Sequence, residues 1–449
     1  MRLSWVQPED LVGHELRQAE EDGRDASVIA KRWLAAGGEL SPALAGASPE
    51  PASAELRELA GSVLDALALL PGSAVEPTAL DEIEALCPQW IDDLGAREPD
   101  LDQVHGAWLG RAVGCLLGKP VEKIPREGIE EIARATGNWP IRQYFTEVGL
   151  PEDIAARWPW NRRSRPTSLV ENIDGMPEDD DLNYPLLALM LLERTGPDFT
   201  TEDVADLWLA ELPAGRTFTA ERIAYRNLLL GHSPPATASY RNPFREWIGA
   251  QIRADLFGWI HPGRPGAAAR AAWRDAVLSH TANGVYGAMF VAASVSAAAV
   301  LEEPVQWLEA GLSVVPPESR LAEAVRYAIV AAQEEQDWSR VLDRIHDRYG
   351  HLHWVHAVNN SALVAAAVVH GGGDFEASIC RVVAGGWDTD SNGATVGSLL
   401  GVRAGVSALP RRWTSPLRNR LATTVGGMDG IGFDELAART VALAGKGKP

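Results

Sequence analysis

The sequence is poor in cysteine and in positive charge. Its 449 residues include three cysteines, Cys87, Cys115 and Cys380, which lie far apart and form no Cys-x-x-Cys pair. A disulfide framework and a zinc finger are therefore not expected, and a reduced cytoplasm is the predicted compartment. Lys and Arg total 41 against 61 Asp and Glu, which gives a formal net charge of −20. This balance argues against nucleic-acid binding and against docking on an anionic membrane, because both rely on basic surfaces.

Long hydrophobic runs and alternating strand patterns are scarce. The N-terminal stretch MRLSWVQPEDLVGHELRQ contains no apolar segment of the signal-peptide type. Residues 281–301 carry no charge, but they consist mainly of Ala, Gly, Ser and Val. We therefore predict that this segment is a buried helix of the core and not a membrane span.

Helical periodicity dominates the pattern that is present, so the predicted fold class is all-α. Helices are predicted over residues 54–70, 203–212, 245–257, 267–279 and 320–335. Residues 1–100 are interpreted as an accessory N-terminal helical region, with a flexible Pro/Ser/Gly-rich connector near residues 37–53. Residues 101–449 form the predicted main domain.

Glycine recurs at intervals of four in two segments. The two rows are Gly106, Gly110, Gly114 and Gly118, and Gly393, Gly397, Gly401 and Gly405. Residues four apart form a ridge along one side of a helix, so a glycine row lets another backbone approach closely. Each glycine costs roughly 1 kcal/mol relative to alanine inside a helix, and tight helix–helix packing is the expected compensation. The small-residue segments 284–300 and 361–369 are the predicted packing partners.

The first of two acidic clusters is Glu178-Asp179-Asp180-Asp181, directly before the apolar stretch LNYPLLALMLLER. Carboxylates at a helix start can cap free N–H groups and are favoured by the positive end of the helix dipole. Pro185 is tolerated only near the first turn, so the helix is predicted to begin at 181–183. From this cluster alone, an acidic cap on a solvated helix end is the favoured interpretation.

The second acidic cluster, GGWDTDSNG at 385–393, runs straight into the second glycine row. A turn that enters a helix can bring together oxygens of Asp388, Asp390 and Ser391, and such ligands suit Mg²⁺, Mn²⁺ or Ca²⁺ better than zinc. The following helix is too apolar for a solvated surface, and no Lys or Arg cluster adjoins it in sequence. A cation is therefore the expected compensation for buried carboxylates. Two such clusters could converge on a two-metal site that polarises a substrate oxygen and activates water.

In their order and spacing, these segments resemble the ADP-ribosylglycohydrolase family, which includes the enzyme that reactivates ADP-ribosylated dinitrogenase reductase. The likeness spans roughly residues 101–410. GAWLGRAVGCLLGKPVE at 106–122 resembles the family's opening glycine-rich helix with its trailing glutamate, and EDDDLNY at 178–184 resembles its Thr-Asp-Asp metal motif. DTDSNGATVGSLLG at 388–401 is similar to its closing Asp-x-Asp-Thr motif. SHTANGVYGAMFVAA at 279–293 resembles a His-containing core helix between them.

The resemblance implies a compact all-α orthogonal bundle, here with an N-terminal helical extension, and makes residues 101–449 the catalytic domain. It also implies two divalent cations in a central cleft, where they contact the ribose hydroxyls of ADP-ribose. Mg²⁺ is the expected ion, with Mn²⁺ and Ca²⁺ as alternatives. The implied metal ligands are Asp179, Asp180, Asp181, Asp388, Asp390 and Ser391. Asp180 and Asp390 are also implied to be catalytic.

Glu122 falls on the glutamate that the family places in a mobile loop over the glycosidic bond. Glycosidic cleavage passes through an oxocarbenium-like transition state, and a glutamate can assist it by proton transfer. From its residues alone, a solvated loop carboxylate is the alternative interpretation. Glu122 is also an expected substrate contact, as are His280, Asn283 and Tyr286 near the start of the 281–301 helix. For the histidine, the alternative is a structural role in the core.

Three positions depart from the family pattern. Cys115 replaces an aspartate, Asp179 replaces a threonine, and Leu182 stands where a second threonine is common. The added carboxylate of Asp179 is expected to strengthen divalent-cation binding. Cys115 puts the role of the replaced aspartate in doubt.

The function that the resemblance implies is a divalent-cation-dependent hydrolase, a glycosidase that cleaves the bond of an ADP-ribosyl or related ribosyl group. The expected partner is an ADP-ribosylated protein or an ADP-ribosyl-type small molecule. Two alternatives stay open. One is a catalytically inactive ADP-ribose-binding or structural relative, and the other is a two-metal phosphohydrolase, which would release phosphate instead of ADP-ribose.

Overall fold

The computed structural model describes residues 3–40, 46–71 and 75–444. This part of the chain folds into helices and contains no β-strand, apart from three isolated bridges. The predicted all-α class is confirmed.

The described part of the N-terminal region contributes four helices: α1 Pro8–Glu21, α2 Ser27–Ala35, α3 Ala54–Ala68 and α4 Leu80–Leu86. Ion pairs join this region to the rest of the protein. Arg245 lies 2.8 Å from the Glu15 carboxylate and 3.0 Å from that of Asp22, and Arg320 lies 2.7 Å from that of Glu76. Residues 41–45 of the predicted connector lie outside the described residues.

The remaining α-helices follow in chain order: α5 Leu101–Gly118, α6 Arg126–Ala135, α7 Glu152–Arg157, α8 Arg165–Ser168, α9 Asp180–Thr195, α10 Thr201–Glu211, α11 Thr219–Leu229, α12 Ala236–Ser239, α13 Asp255–Trp259, α14 Pro265–Ala276, α15 Ala282–Ala298, α16 Pro304–Leu312, α17 Arg320–Glu334, α18 Trp338–Tyr349, α19 Ala357–His370, α20 Phe375–Ala384, α21 Thr389–Ala404, α22 Arg411–Thr414 and α23 Phe433–Ala444. Short 3₁₀ helices cover Lys119–Val121, Ala214–Arg216, Ile248–Arg253, Val406–Ala408 and Ser415–Leu417.

One predicted helix is wrong. Residues 245–257 form a 3₁₀ helix at Ile248–Arg253 and the separate α13, not one continuous α-helix. The backbone here forms hydrogen bonds with residues 355–357. The Ile248 amide donates to the Val355 carbonyl at 2.9 Å, and the Ala357 amide donates to the Glu246 carbonyl at 3.0 Å. Tertiary bonding thus overrides the local helical pattern.

The two glycine rows face each other and form what we call the glycine seam, the contact between α5 and the segment 389–405. A Cβ atom built on Gly397 would lie 2.7 Å from the carbonyl carbon of Gly110, and one built on Gly110 would lie 3.0 Å from that of Gly397. Tight helix packing was expected, but the partners predicted for the rows, segments 284–300 and 361–369, were wrong. A ridge without side chains leaves room for a second such ridge, so the two rows pair with each other.

Segment 281–301 forms α15, whose residues are buried along its whole length. Within the described ranges, no helix combines the length and the apolar character needed to cross a membrane.

The glycine seam also sets the position of two loops. The Thr389 hydroxyl at the start of α21 donates to the Gly118 carbonyl at the end of α5, at 2.8 Å. The chain leaving α5 therefore lies beside the chain entering α21. Arg111 of α5 reaches the start of α9, where its guanidinium donates to the Asp181 carbonyl at 2.7 Å. The ends of three helices meet at this place.

Candidate active site

The first acidic cluster is held by the start of α9. Asp179 is the N-cap residue, and its carboxylate accepts a hydrogen bond from the Asp181 amide at 2.9 Å. Asp180 and Asp181 occupy the first turn. The capping role considered for this cluster is real, but the end is not solvated, since the exposed fractions of Asp179 and Asp181 are 9% and 2%.

The second acidic cluster is held by the start of α21. Gly386 and Trp387 have positive φ angles of 76° and 59°, which turn the chain sharply before Asp388. Asn360 of α19 supports the loop: its side-chain oxygen accepts from the Asn392 amide group at 2.6 Å and from the Asp388 backbone at 3.4 Å. Backbone geometry and a buried amide thus fix the direction of the carboxylates.

The two clusters converge. The Ser391 hydroxyl donates to the Asp181 carboxylate at 3.3 Å, so the loop before α21 touches the start of α9. Ligand atoms of Glu122, Asp388 and Asp390 all lie within 4.8 Å of one another. A second group within the same limit consists of Cys115, Asp179 and Asp181. The structure therefore brings the predicted ligands of both clusters, together with Glu122, into one place.

The site concentrates negative charge in a buried setting. Burial, followed by the neighbouring carboxylates of Glu122 and Asp179, raises the pKa of Asp390 to about 7, while Lys119 opposes the rise. Burial, followed by Asp179 and Asp390, raises the pKa of Asp180 well above its ordinary value. Burial, followed by Asp390 and Glu122, does the same for Asp388. A bound cation would offset this shared charge.

Two buried cationic side chains, which the sequence patterns did not indicate, lie beside the first acidic cluster. The Lys119 ammonium forms a close ion pair with the Asp179 carboxylate and donates to the Glu178 carbonyl at 3.2 Å. The Arg111 guanidinium contacts Asp181 at 3.2 Å and Asp255 at 2.8 Å. Arg111 comes from α5 and Lys119 from the 3₁₀ helix that follows it, and both are distant in sequence from the acidic clusters.

Helical spacing could have revealed both cations. Arg111, Cys115 and Lys119 are four residues apart, and they follow Gly110, Gly114 and Gly118 by one position each. While the glycine row faces α21, the neighbouring row at i, i+4 and i+8 faces the start of α9. No comparable signal marks Asn161, whose side chain reaches the site from a loop.

The opposing effects of burial and of the neighbouring cations are visible in the pKa values of the group Cys115, Asp179 and Asp181. Burial alone would raise the pKa of Asp179, but the adjacent Lys119 brings it below its ordinary value. Burial and then Asp179 raise the pKa of Asp181, and the Arg111 guanidinium opposes the rise. Burial, with Asp179 and Asp181 nearby, raises the pKa of the Cys115 thiol well above its ordinary value, so this sulfur stays protonated at neutral pH.

Glu122 lies just after the 3₁₀ helix Lys119–Val121, at the edge of the site. Asn161 donates through its side-chain amide to one Glu122 oxygen, and the Lys123 ammonium lies 3.3 Å from the other. The Glu122 side chain is 19% exposed, whereas Asp388 and Asp390 are 6% and 8% exposed. Among these three carboxylates, Glu122 is the one most open to an approaching molecule.

The three other predicted substrate contacts are engaged elsewhere. His280 shares a hydrogen bond with the Ser279 hydroxyl at 2.8 Å, and burial lowers its pKa well below the ordinary value. Asn283 donates to Glu246 at 3.3 Å and accepts from the Leu321 amide at 3.0 Å. The Tyr286 hydroxyl donates to the Pro77 carbonyl. These contacts favour the structural alternative considered for the histidine.

The two groups differ in how well they suit a hard divalent cation. Glu122, Asp388 and Asp390 offer only carboxylate oxygens, which suit Mg²⁺, Mn²⁺ or Ca²⁺. The other group contains a protonated thiol and two carboxylates that already contact Lys119 and Arg111. The residues present fit a divalent cation at the first of these groups and do not fit one at the second.

Comparison with known proteins adds three likenesses. The model of the ADP-ribosylglycohydrolase family matches residues 96–447. An uncharacterized protein of Archaeoglobus fulgidus is 26% identical over 318 residues, which cover 70% of this chain and 90% of that protein. A solved chain described as an ADP-ribosylglycohydrolase-related protein complex is 22% identical with a TM-score of 0.46, and the match covers 78% of this chain and 99% of that one.

Proposed function

Because this chain belongs to the ADP-ribosylglycohydrolase family, we propose that it is a divalent-cation-dependent hydrolase of the glycosidic bond of an ADP-ribosyl or related ribosyl group. The observation that carries the proposal is the meeting of Glu122 with Asp388 and Asp390 beside the start of α9. Its substrate is an ADP-ribosylated protein or an ADP-ribosyl-type small molecule.

The carboxylates have separate tasks in this proposal. Asp180, Asp388 and Asp390 hold the cation, for which Mg²⁺ is the expected ion. When bound, the cation supplies positive charge that orients ribose hydroxyls and polarises water. The fixed starts of α9 and α21 support this assignment, because regular secondary structure holds ligands in a constant geometry.

Glu122 acts as the proton-transfer group. Its greater exposure and its place on a loop support contact with the substrate, and the Asn161 amide fixes the orientation of its carboxylate. Water adds its oxygen to the anomeric carbon while the bond to the leaving group breaks. One proton of that water moves through the Glu122 carboxylate, and the leaving group gains a proton as it departs.

Turnover of a substrate panel tests the proposal. ADP-ribosyl-arginine, ADP-ribosyl-serine and free nucleotide sugars are incubated with the full chain in Mg²⁺, in Mn²⁺ and in EDTA, and the products are separated chromatographically. Release of ADP-ribose or a related ribosyl product with the metals, and its absence in EDTA, is expected. Binding of ADP-ribose without turnover of any substrate would indicate an inactive relative, and release of phosphate would indicate a phosphohydrolase.

A further inference from the structure

The Lys119 ammonium lies where a metal ion would otherwise neutralise the group Cys115, Asp179 and Asp181. It forms an ion pair with Asp179 and donates to the Glu178 carbonyl, and its side chain is only 7% exposed. Its backbone is fixed, because Lys119 directly follows Gly118, whose carbonyl is bound by the Thr389 hydroxyl. The lysine is therefore a built-in part of the site.

A second cation completes the neutralisation of that group. Arg111 is fully buried and contacts Asp181 and Asp255 at once, so carboxylates on α9 and at the start of α13 both hold it. The remaining ligand atom is the sulfur of Cys115, a soft donor that suits a hard cation poorly. An ion entering here would meet two fixed positive charges and no free carboxylate.

The side of the site that contains Asp388 and Asp390 differs in its ion pairs. Across the ion pairs of the described residues, none involves Asp180, Asp388 or Asp390. Lys123 lies 3.3 Å from Glu122, and its side chain is 54% exposed. Asp388 and Asp390 are buried carboxylates without an ion-pair partner, and such groups call for a cation from solution.

We infer that this protein binds one divalent cation, at the side of Asp388 and Asp390, and that Lys119 permanently occupies the second cation position beside Asp179. The inference rests on the cation site of the proposed function. The two cations implied by the resemblance are then reduced to one exchangeable ion and one ammonium group.

The number of bound ions tests the inference. Calorimetric titration and native mass spectrometry with Mn²⁺ are carried out on the full chain, on Lys119→Met and on the matched control Lys123→Met. We expect one ion in the wild type, two in Lys119→Met and one in the control. Electron paramagnetic resonance provides an independent readout: isolated Mn²⁺ in the wild type and a spin-coupled pair in Lys119→Met.

Three results would overturn the inference: two ions in the wild type, no ion in the wild type, or a single ion in folded Lys119→Met. If Lys119→Met does not fold, Lys119→Gln replaces it, since the amide can still donate to Asp179. The electron paramagnetic resonance spectrum of the wild type shows by itself whether one Mn²⁺ ion or a coupled pair is bound. One bound ion without turnover would leave this inference standing and refute the proposed function, whereas two ions with turnover would do the reverse.

Discussion

Alanine at the centre of the glycine seam should damage both the fold and the cation site. In Gly397→Ala the new methyl group would lie 2.7 Å from the Gly110 carbonyl carbon, at least 0.7 Å short of the 3.4 Å at which ordinary contact begins. The obstacle is backbone on the facing helix, so it cannot turn away as a side chain could. Overpacking costs typically 1–3 kcal/mol, and we expect roughly 3 kcal/mol or more here because a backbone must move.

The displacement matters for function because α5 supports the start of α9, where Arg111 donates to the Asp181 carbonyl at 2.7 Å. Asp388 and Asp390 lie at the start of α21, on the other side of the glycine seam. Separating the helices by 0.7 Å or more exceeds the tolerance of about 0.2 Å for metal–ligand distances. Mn²⁺ affinity should therefore fall roughly tenfold or more, which corresponds to about 1.4 kcal/mol.

Urea unfolding followed by circular dichroism, and Mn²⁺ titration of the folded protein, measure the two effects. Gly215→Ala is the matched control, because Gly215 lies in a short 3₁₀ helix with no atom within 4 Å of a built Cβ. Its stability should stay within roughly 0.5 kcal/mol of the wild type, or rise slightly. If Gly397→Ala were as stable as this control and bound Mn²⁺ as tightly as the wild type, the described contact between the rows would be incorrect.

Three further predictions concern the carboxylates and one histidine. Glu122→Gln should retain cation and ADP-ribose binding while turnover falls roughly 10²–10⁴-fold, the scale of losing an acid–base group. Single-turnover kinetics measure this fall, with the exposed Glu127→Gln as control. Loss of cation binding would instead make Glu122 a metal ligand. Asp180→Ala or Asp390→Ala should abolish the rise in melting temperature caused by Mg²⁺. An unchanged rise in either variant would mean that the cation binds elsewhere in the protein. Burial lowers the pKa of His356 to about 3. Below about pH 6.5 this histidine is therefore protonated in the unfolded chain but stays neutral in the native protein, so the free energy of unfolding decreases as the pH falls. Between pH 6.5 and 5 the free energy of unfolding should decrease by about 1.5 kcal/mol through this histidine. Urea unfolding at several pH values should show that this decrease is absent from His356→Asn. The same pH dependence in both proteins would contradict the lowered pKa of His356.

Local sequence patterns predicted much of this architecture. The periodicity of residues 320–335 corresponds to α17, and the spacing of the glycines correctly indicated an unusually close helix contact. Both features arise from residues near one another on a single helix. The packing partner of each row depends on which surfaces meet in three dimensions, and small-residue segments elsewhere in the chain competed for that role.

At the candidate site, too, sequence patterns predicted features formed by neighbouring residues and missed contacts that depend on three-dimensional packing. Asp388, Asp390 and Ser391 lie close together in sequence, so their joint direction at a helix start was predictable. Lys119 and Asp179 are 60 positions apart, and only the packing of α5 against α9 joins them. The sequence therefore indicated where negative charge collects and missed the lysine that neutralises part of it.

Isotope labelling tests the central claim, cation-dependent cleavage of a glycosidic bond, most directly. The full chain hydrolyses an ADP-ribosylated substrate in H₂¹⁸O with Mg²⁺, the reaction is quenched early, and mass spectrometry locates the label. We predict one ¹⁸O atom in the terminal ribose of released ADP-ribose, and no product in EDTA. Label in phosphate, or undiminished product in EDTA, would contradict the account.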